Sequence, residues 1–296
     1  MQTATQIRQM LKQARLAPNR SLGQSFLIDG NLQRKLLELA EIDPRPAVLE
    51  VGAGTGSLTQ ELAQLADRVV AVEIDRGLYR LLERNLAGVG NVTLIHADAL
   101  ASKRALEPRV LAALGGPSQL VSNLPYAVAT PLVAECLIQS WRVARRLPGA
   151  GTCRFDRLTF TVQHEVAERM SARPGDEAYG SVSVIVALLG SMTVGPAVPA
   201  AAFWPRPKVT GRMIRIDFDP AAAQRLADAD VLAAVMFQAF GQRRKQLGSV
   251  IRRKNSPFEP DRFRAALHVA GIDPALRAEA IDPAQYLALA NALSQP

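Results

Sequence analysis

Short apolar runs alternate with stretches of helical spacing along most of the chain. Ala47-Val48-Leu49-Glu50-Val51 is a short apolar run that opens into glycines. Residues 58–66 have helical spacing, 68–75 form a β-branched run ending in acids, and 77–87 are helical again. Residues 91–98, 119–123 and 158–163 read as further strands, with a helix over 131–141. This alternation predicts an α/β doubly wound, Rossmann-like sheet. Upstream, residues 1–17 read as a basic amphipathic helix, 18–30 as a loop and 31–41 as a helix. Two segments break the pattern and are expected as surface excursions. Residues 101–118 carry Lys, Arg, Pro and Gly-Gly, and 142–157 carry five arginines against one acid. After Gly211–Pro220 the periodicity turns helical. A boundary near 220 is therefore expected, with one domain over 1–219 and a small all-helical domain over 220–296.

Composition narrows the partners. The chain has 296 residues, 48% of them hydrophobic, enough for a sizeable core, and a formal net charge of +8. That surplus suits an acidic partner, with nucleic acid first and a membrane surface as its rival. No apolar run is long enough for a transmembrane helix. The N-terminal stretch lacks the apolar core of a secretion signal and only faintly resembles an organellar presequence. Cys136 and Cys153 do not form a CxxC pair, which fits a reducing, cytoplasmic setting. His96, His164 and His268 stand far apart, so no metal site is expected.

Glu50-Val51-Gly52-Ala53-Gly54-Thr55-Gly56 follows the first sheet strand and opens a helix. The spacing is GxGxG, not the dinucleotide GxGxxG. Glycines here let backbone approach a ligand closely, and such sheets bind ligands beyond the carboxyl ends of their strands. Glu73 ends the second strand, where a carboxylate accepts from ribose hydroxyls. Asp98 ends the third, where one accepts from an adenine amine. Glycine turn, acid, acid on successive strand ends is the order expected of an S-adenosylmethionine pocket, with an NAD site as the rival.

The fourth strand end carries Asn123-Leu124-Pro125-Tyr126. The exocyclic amine of adenine is a poor nucleophile because its lone pair is delocalised into the ring. An Asn side-chain oxygen and a free backbone carbonyl both accept from that amine. They favour a pyramidal nitrogen whose lone pair faces a methyl donor about 3 Å away. Tyr126 can stack on the base, worth about 1–3 kcal/mol. The plainer alternative is a strand-ending turn with a core tyrosine.

SLGQSFL (21–27), EVGAGTGSLT (50–59), VEID (72–75), NLPYAVATPL (123–132), FWPRPKV (203–209) and FGQRRKQL (240–247) together make the chain resemble the small-subunit ribosomal RNA adenine dimethyltransferases, over about residues 15–290. The resemblance implies a Rossmann-like seven-stranded methyltransferase sheet with a C-terminal helical domain. It also implies S-adenosylmethionine as cofactor and two adjacent adenines near the 3′ end of small-subunit rRNA, each methylated twice, as target. It assigns Gln24, Ser25, Leu27, Gly52, Gly54, Glu73, Asp98 and Asn123 to the cofactor. Asn123, Leu124, Pro125, Tyr126 and Phe203 go to the target adenine, with Tyr126 and Phe203 as its two aromatic walls. The chain departs from the family pattern at Ser25, where Asn or His is usual, and at Ala127, where Asn is usual.

Residues 241–254 hold six basic residues and no acid. Arg243, Arg244 and Lys245 precede Arg252, Arg253 and Lys254 by about two and a half turns, which would set both clusters along one helix edge. With Lys208 beside the site they are candidate phosphate contacts. Arg8, Lys12 and Arg15 share helical spacing and add to the field, and the arginines of 142–157 are candidates to extend it. The expected partner is the small ribosomal subunit or its precursor, and the expected state a monomer. Three alternatives stay open: a large-subunit rRNA dimethyltransferase of the antibiotic-resistance type, a DNA adenine methyltransferase, and a non-catalytic ribosome-assembly protein on the same fold.

Overall fold

The computed structural model describes residues 1–102, 105–250 and 256–295. Seven strands form the central sheet: β1 (Ala47–Val51), β2 (Arg68–Glu73), β3 (Val92–His96), β4 (Pro117–Asn123), β5 (Arg154–Gln163), β6 (Gly190–Val198) and β7 (Gly211–Phe218). Their order is β3-β2-β1-β4-β5-β7-β6. The first five are parallel, and β7 runs antiparallel to both its neighbours. Strand order reverses between β1 and β4, so the crevice at their carboxyl ends is where such a sheet takes a ligand.

Each strand splits its side chains between two apolar layers because β-strand positions alternate. Leu49, Val51, Val70, Val72 and Leu120 face one cluster, while Val48, Val69, Ala71 and Val121 face the other. The second layer is covered by α2 (Gly30–Ala40), α3 (Ser57–Leu65) and α4 (Arg76–Asn85), through Leu36, Leu62 and Leu82. Asp29 and Asp75 start α2 and α4 by accepting from the first free N–H groups of each. Each large aliphatic side chain buried in these layers contributes about 1.5–3 kcal/mol.

The first layer corrects one expectation. Residues 101–118, of which 103 and 104 lie outside the described residues, include more than an excursion: α5 (Pro108–Leu114) buries Val110 and Leu114 against the sheet. Its seven residues, with Pro108 opening it, are too few to show a period. Residues 142–157 do hold the expected irregular excursion, over 145–153, between two regular elements. The helix α6 runs over Ala129–Ala144 and β5 resumes at Arg154. Three of the arginines there pair with acids, Arg142 with Asp230 at 2.5 Å, Arg154 with Asp156 at 2.6 Å and Arg157 with Asp217 at 2.6 Å.

Helices α7 (His164–Ser171) and α8 (Ser181–Leu189) precede β6. After Phe218 the described chain is helical: α9 (Pro220–Arg225), α10 (Ala229–Phe240), α11 (Leu247–Val250), α12 (Pro260–Val269) and α13 (Pro283–Ser294). These helices share the first apolar layer with α6 and α8, so one core runs from Leu49 to Leu293. Buried polar tips stitch the seam. Trp141 Nε1 donates to the Ala223 carbonyl at 3.1 Å, and the Tyr179 hydroxyl to the Ile281 carbonyl at 2.9 Å.

The N-terminal helix α1 (Ala4–Gln13) packs Ile7 and Leu11 on Leu78 and Leu81 of α4. Beside it, Phe26–Leu27 pairs with Phe203–Trp204 as a two-residue antiparallel ribbon.

Candidate active site

A cavity opens at the carboxyl ends of β1, β2 and β4. Gly52, Gly54, Glu73, Asp98, Asn123, Leu124, Pro125, Tyr126, Gln24, Ser25 and Leu27 all line it. Residues from five separate stretches of sequence thus meet in one place.

The glycine turn is built by steric demand. Gly52, Gly54 and Gly56 have φ of +79°, +61° and +84°. A β-carbon on Gly54 would stand 3.0 Å from the ring of Phe26. The turn therefore tolerates neither the backbone preference nor the bulk of another residue. Glu73 holds it in place: one carboxylate oxygen accepts from the Gly54 N–H and the other from the Asp75 N–H, both at 2.9 Å. Burial pushes the Glu73 carboxyl up, and these two hydrogen bonds oppose that rise. Asp98 is exposed at the rim, where one oxygen accepts from the Leu100 N–H at 2.9 Å. Ile74, half-exposed between Glu73 and Asp75, gives the cavity an apolar lip.

Gln24 reaches across the entrance, its Nε2 donating to Asp75 Oδ2 at 3.3 Å. The Ser25 hydroxyl donates to the Pro205 carbonyl at 2.7 Å. It ties this segment to the loop that carries Arg206 and Lys208, and both of those side chains are exposed.

Asn123 ends β4 with both ends of its amide engaged. Nδ2 donates to the Ser25 carbonyl at 3.1 Å, and Oδ1 accepts from the Thr161 hydroxyl. Tyr126 is partly buried at the cavity, and burial raises its phenol.

Phe203 is not brought to the cavity. It is 3% exposed and packs with Leu27 in the layer under the sheet. Alternation in the short ribbon explains this. Leu27 pairs with Phe203 and turns inward, while Phe26 pairs with Trp204 and turns toward α1. Phe26 is the second aromatic side chain lining the cavity, and Trp204 stacks behind it with centroids 6.4 Å apart. The motif SLGQSFL held Phe26 in view, but pairing across the ribbon decides which aromatic faces the ligand.

Glu50 also escaped the sequence reading as a site residue. It lines the cavity while only 2% exposed, and its carboxylate accepts from the Thr59 hydroxyl at 2.6 Å. Burial pushes it up to about 8.

Arg243, Arg244 and Lys245 do not lie on a helix. Helix α10 stops at Phe240, and the following segment pairs with residues 274–277 through Gln246, Leu247 and Gly248. Arg243 turns back to the loop between α7 and α8, its Nη2 donating to the carbonyls of Glu177 and Tyr179, each at 2.8 Å. Arg244 and Lys245 are exposed. Arg252, Arg253 and Lys254 lie outside the described residues. Among the described residues no cluster of His, Cys, Asp or Glu is arranged to hold a metal, and no helix is long and apolar enough to cross a membrane.

The fold has known counterparts. A dimethyladenosine transferase from Plasmodium falciparum superposes with a TM-score of 0.65 at 22% identity, over 89% of this chain and 95% of that one. The 23S rRNA methyltransferase ErmE superposes with a TM-score of 0.55 at 27% identity, over 91% and 100%. In sequence, the ribosomal RNA small subunit methyltransferase A of Magnetococcus marinus is 39% identical over 96% of this chain and 95% of its own length. The family model for ribosomal RNA adenine dimethylases matches residues 15–295, which takes in the glycine turn, the strand-end acids and the Asn-Leu-Pro-Tyr turn alike. The chain belongs to the ribosomal RNA adenine dimethylase family and is an rRNA adenine methyltransferase.

Proposed function

We propose that this enzyme dimethylates the N6 amines of two adjacent adenines near the 3′ end of small-subunit rRNA, with S-adenosylmethionine as methyl donor. The observation that carries the chemistry is the Asn123 amide, fixed at the strand end that adjoins the glycine turn. The likeness to proteins named for the small ribosomal subunit supports the target.

The cavity fits the cofactor. The positive-φ turn at Gly52 and Gly54 lines the cavity with backbone rather than side chain at those two positions. Glu73 suits ribose hydroxyls, Ile74 the face of an adenine and Asp98 its amine. When bound, the cofactor supplies an electrophilic methyl group. Oδ1 of Asn123 and the Leu124 carbonyl then accept from the target amine and turn its lone pair toward that methyl. Tyr126 stacks on the base and holds it in register. Each transfer would form one N–C bond as the methyl's bond to sulfur breaks, leaving a neutral thioether, and would release one amine proton to solvent. No strong base is required, since placement and hydrogen bonding do the work.

The helical segment 220–296 is the proposed RNA-binding domain. Arg244 and Lys245, with Lys208 near the cavity and Arg252 and Arg253 beyond the described residues, would neutralise phosphates. Arg243 would contribute through its position at the seam. A monomer acting in the cytoplasm fits this role.

The test offers the enzyme unmethylated small subunits and unmethylated large-subunit rRNA with labelled S-adenosylmethionine, and maps the product by mass spectrometry. Dimethyladenosine at paired adenines of the small subunit is expected. Label in the large-subunit RNA would select the resistance-type reaction, and tight binding without label a non-catalytic assembly role.

A further inference from the structure

Asn123 and Thr161 face each other in the parallel ladder between β4 and β5. Thr161 is 1% exposed. A buried hydroxyl needs a partner, and this one spends its proton on Asn123 Oδ1. On the other side of the amide, the Ser25 carbonyl stands 3.1 Å from Nδ2. A backbone carbonyl only accepts, so it can face only the NH₂ end of the amide. Two groups far apart in sequence, one on each side of Asn123, thereby dictate which way the amide points.

The consequence is chemical. A carbonyl oxygen has two lone pairs. Thr161 occupies one on Oδ1. Among the described residues no second donor to Oδ1 is present, and Asn123 lines the cavity. The hydrogen bond from Nδ2 to Ser25 polarises the amide and makes Oδ1 a better acceptor.

We propose that Thr161 is a positioning residue for methyl transfer: with the Ser25 carbonyl it locks the Asn123 amide so that one lone pair of Oδ1 is presented to the target amine. The inference rests on Asn123 being the amine's acceptor. It matters unequally for the two transfers. An unmethylated amine has two N–H groups for two acceptors, Asn123 Oδ1 and the Leu124 carbonyl. After the first transfer one N–H remains, and the nitrogen lone pair is aimed by a single bond. A loosely held Asn123 therefore penalises the second transfer more than the first.

Thr161→Val keeps the β-branched shape and removes the hydroxyl, while Thr161→Ser keeps the hydroxyl. Single-turnover rates on unmethylated small subunits and the ratio of mono- to dimethyladenosine would be measured for both, beside Asn123→Ala and wild type. Cofactor affinity and thermal midpoint would be recorded for each. For Thr161→Val the expected result is a rate about tenfold lower, as a small misalignment produces, with monomethyladenosine accumulating and cofactor affinity unchanged. Thr161→Ser should restore both the rate and the product ratio. A wild-type rate and ratio for Thr161→Val, with Asn123→Ala inactive, overturns the proposal and leaves Asn123 as acceptor. A loss that Thr161→Ser does not restore also overturns it. Full activity of Asn123→Ala overturns the role of Asn123 itself, and the proposal with it.

Discussion

A β-carbon placed on Gly52 would stand 2.9 Å from Cγ of Pro125. The glycine turn after β1 and the Asn-Leu-Pro-Tyr turn after β4 are therefore packed in direct contact. The two motifs, read separately in sequence, form one surface. Gly52 also has a φ of +79°, which costs another residue about 1–2 kcal/mol.

Gly52→Ala should therefore disturb both turns together. Cofactor affinity measured by calorimetry is expected to fall at least about tenfold, the equivalent of 1.4 kcal/mol. Methyl transfer should fall with it. Affinity equal to wild type would show that the two turns move independently.

Asn123→Asp changes one group of atoms and should still be severe. A carboxylate at this position would turn an acceptor oxygen toward the Ser25 carbonyl, where an N–H now sits at 3.1 Å. Only a protonated carboxyl restores the donor. The residual activity of the variant should rise as pH falls, against the wild-type trend, in a comparison of pH–rate profiles. Parallel profiles would remove the Ser25 contact from the explanation.

Glu50 sets a pH dependence of stability. Its carboxyl is pushed by burial up to about 8, while the unfolded chain titrates near 4.5. The folded state binds the proton more tightly, so this contribution is complete below about 4.5 and is lost as pH rises toward about 8. Glu50→Gln keeps the shape without the titration. The fall of thermal midpoint between pH 5 and 8, about the span of that titration, should flatten in the variant. An unchanged slope would assign the dependence to other groups.

The basic residues after α10 should separate by role. All three are exposed, but Arg243 also donates to two carbonyls just before α8. Arg243→Ala is expected to lower the thermal midpoint, by the loss of about 1 kcal/mol. Arg244→Ala and Lys245→Ala should leave the midpoint unchanged and each reduce the salt slope of RNA binding by about one. Equal thermal effects for all three would contradict this division.

Much of the site was legible along the chain because its parts are local. Gly52 and Gly54 mark a turn that no other residue adopts easily, Glu73 and Asn123 each end a strand, and Asp98 follows the end of one by two residues, each strand's apolar run being visible in sequence. A continuous apolar run needs no distant partner to be recognised, so the β1–β2–β3–β4 half of the sheet followed from pattern. The helix α5 did not, because seven residues are too short to establish a period.

What remained hidden depends on pairing between segments far apart in sequence. Phe203 and Phe26 are both aromatic and both in quoted motifs. Only the antiparallel register Phe26–Trp204, Leu27–Phe203 sends one to the cavity and the other to the core. The Thr161 hydroxyl meets Asn123 because β4 and β5 are neighbours in one ladder, a fact absent from either strand alone. Arg243 is one more cation in a basic run until the fold sets it beside the carbonyls of Glu177 and Tyr179. Residue type and local periodicity determined which groups this protein has to work with. Strand pairing and helix docking decided which of them meet, because a side chain's direction is set by register and by what packs against it, and neither is written in its own segment.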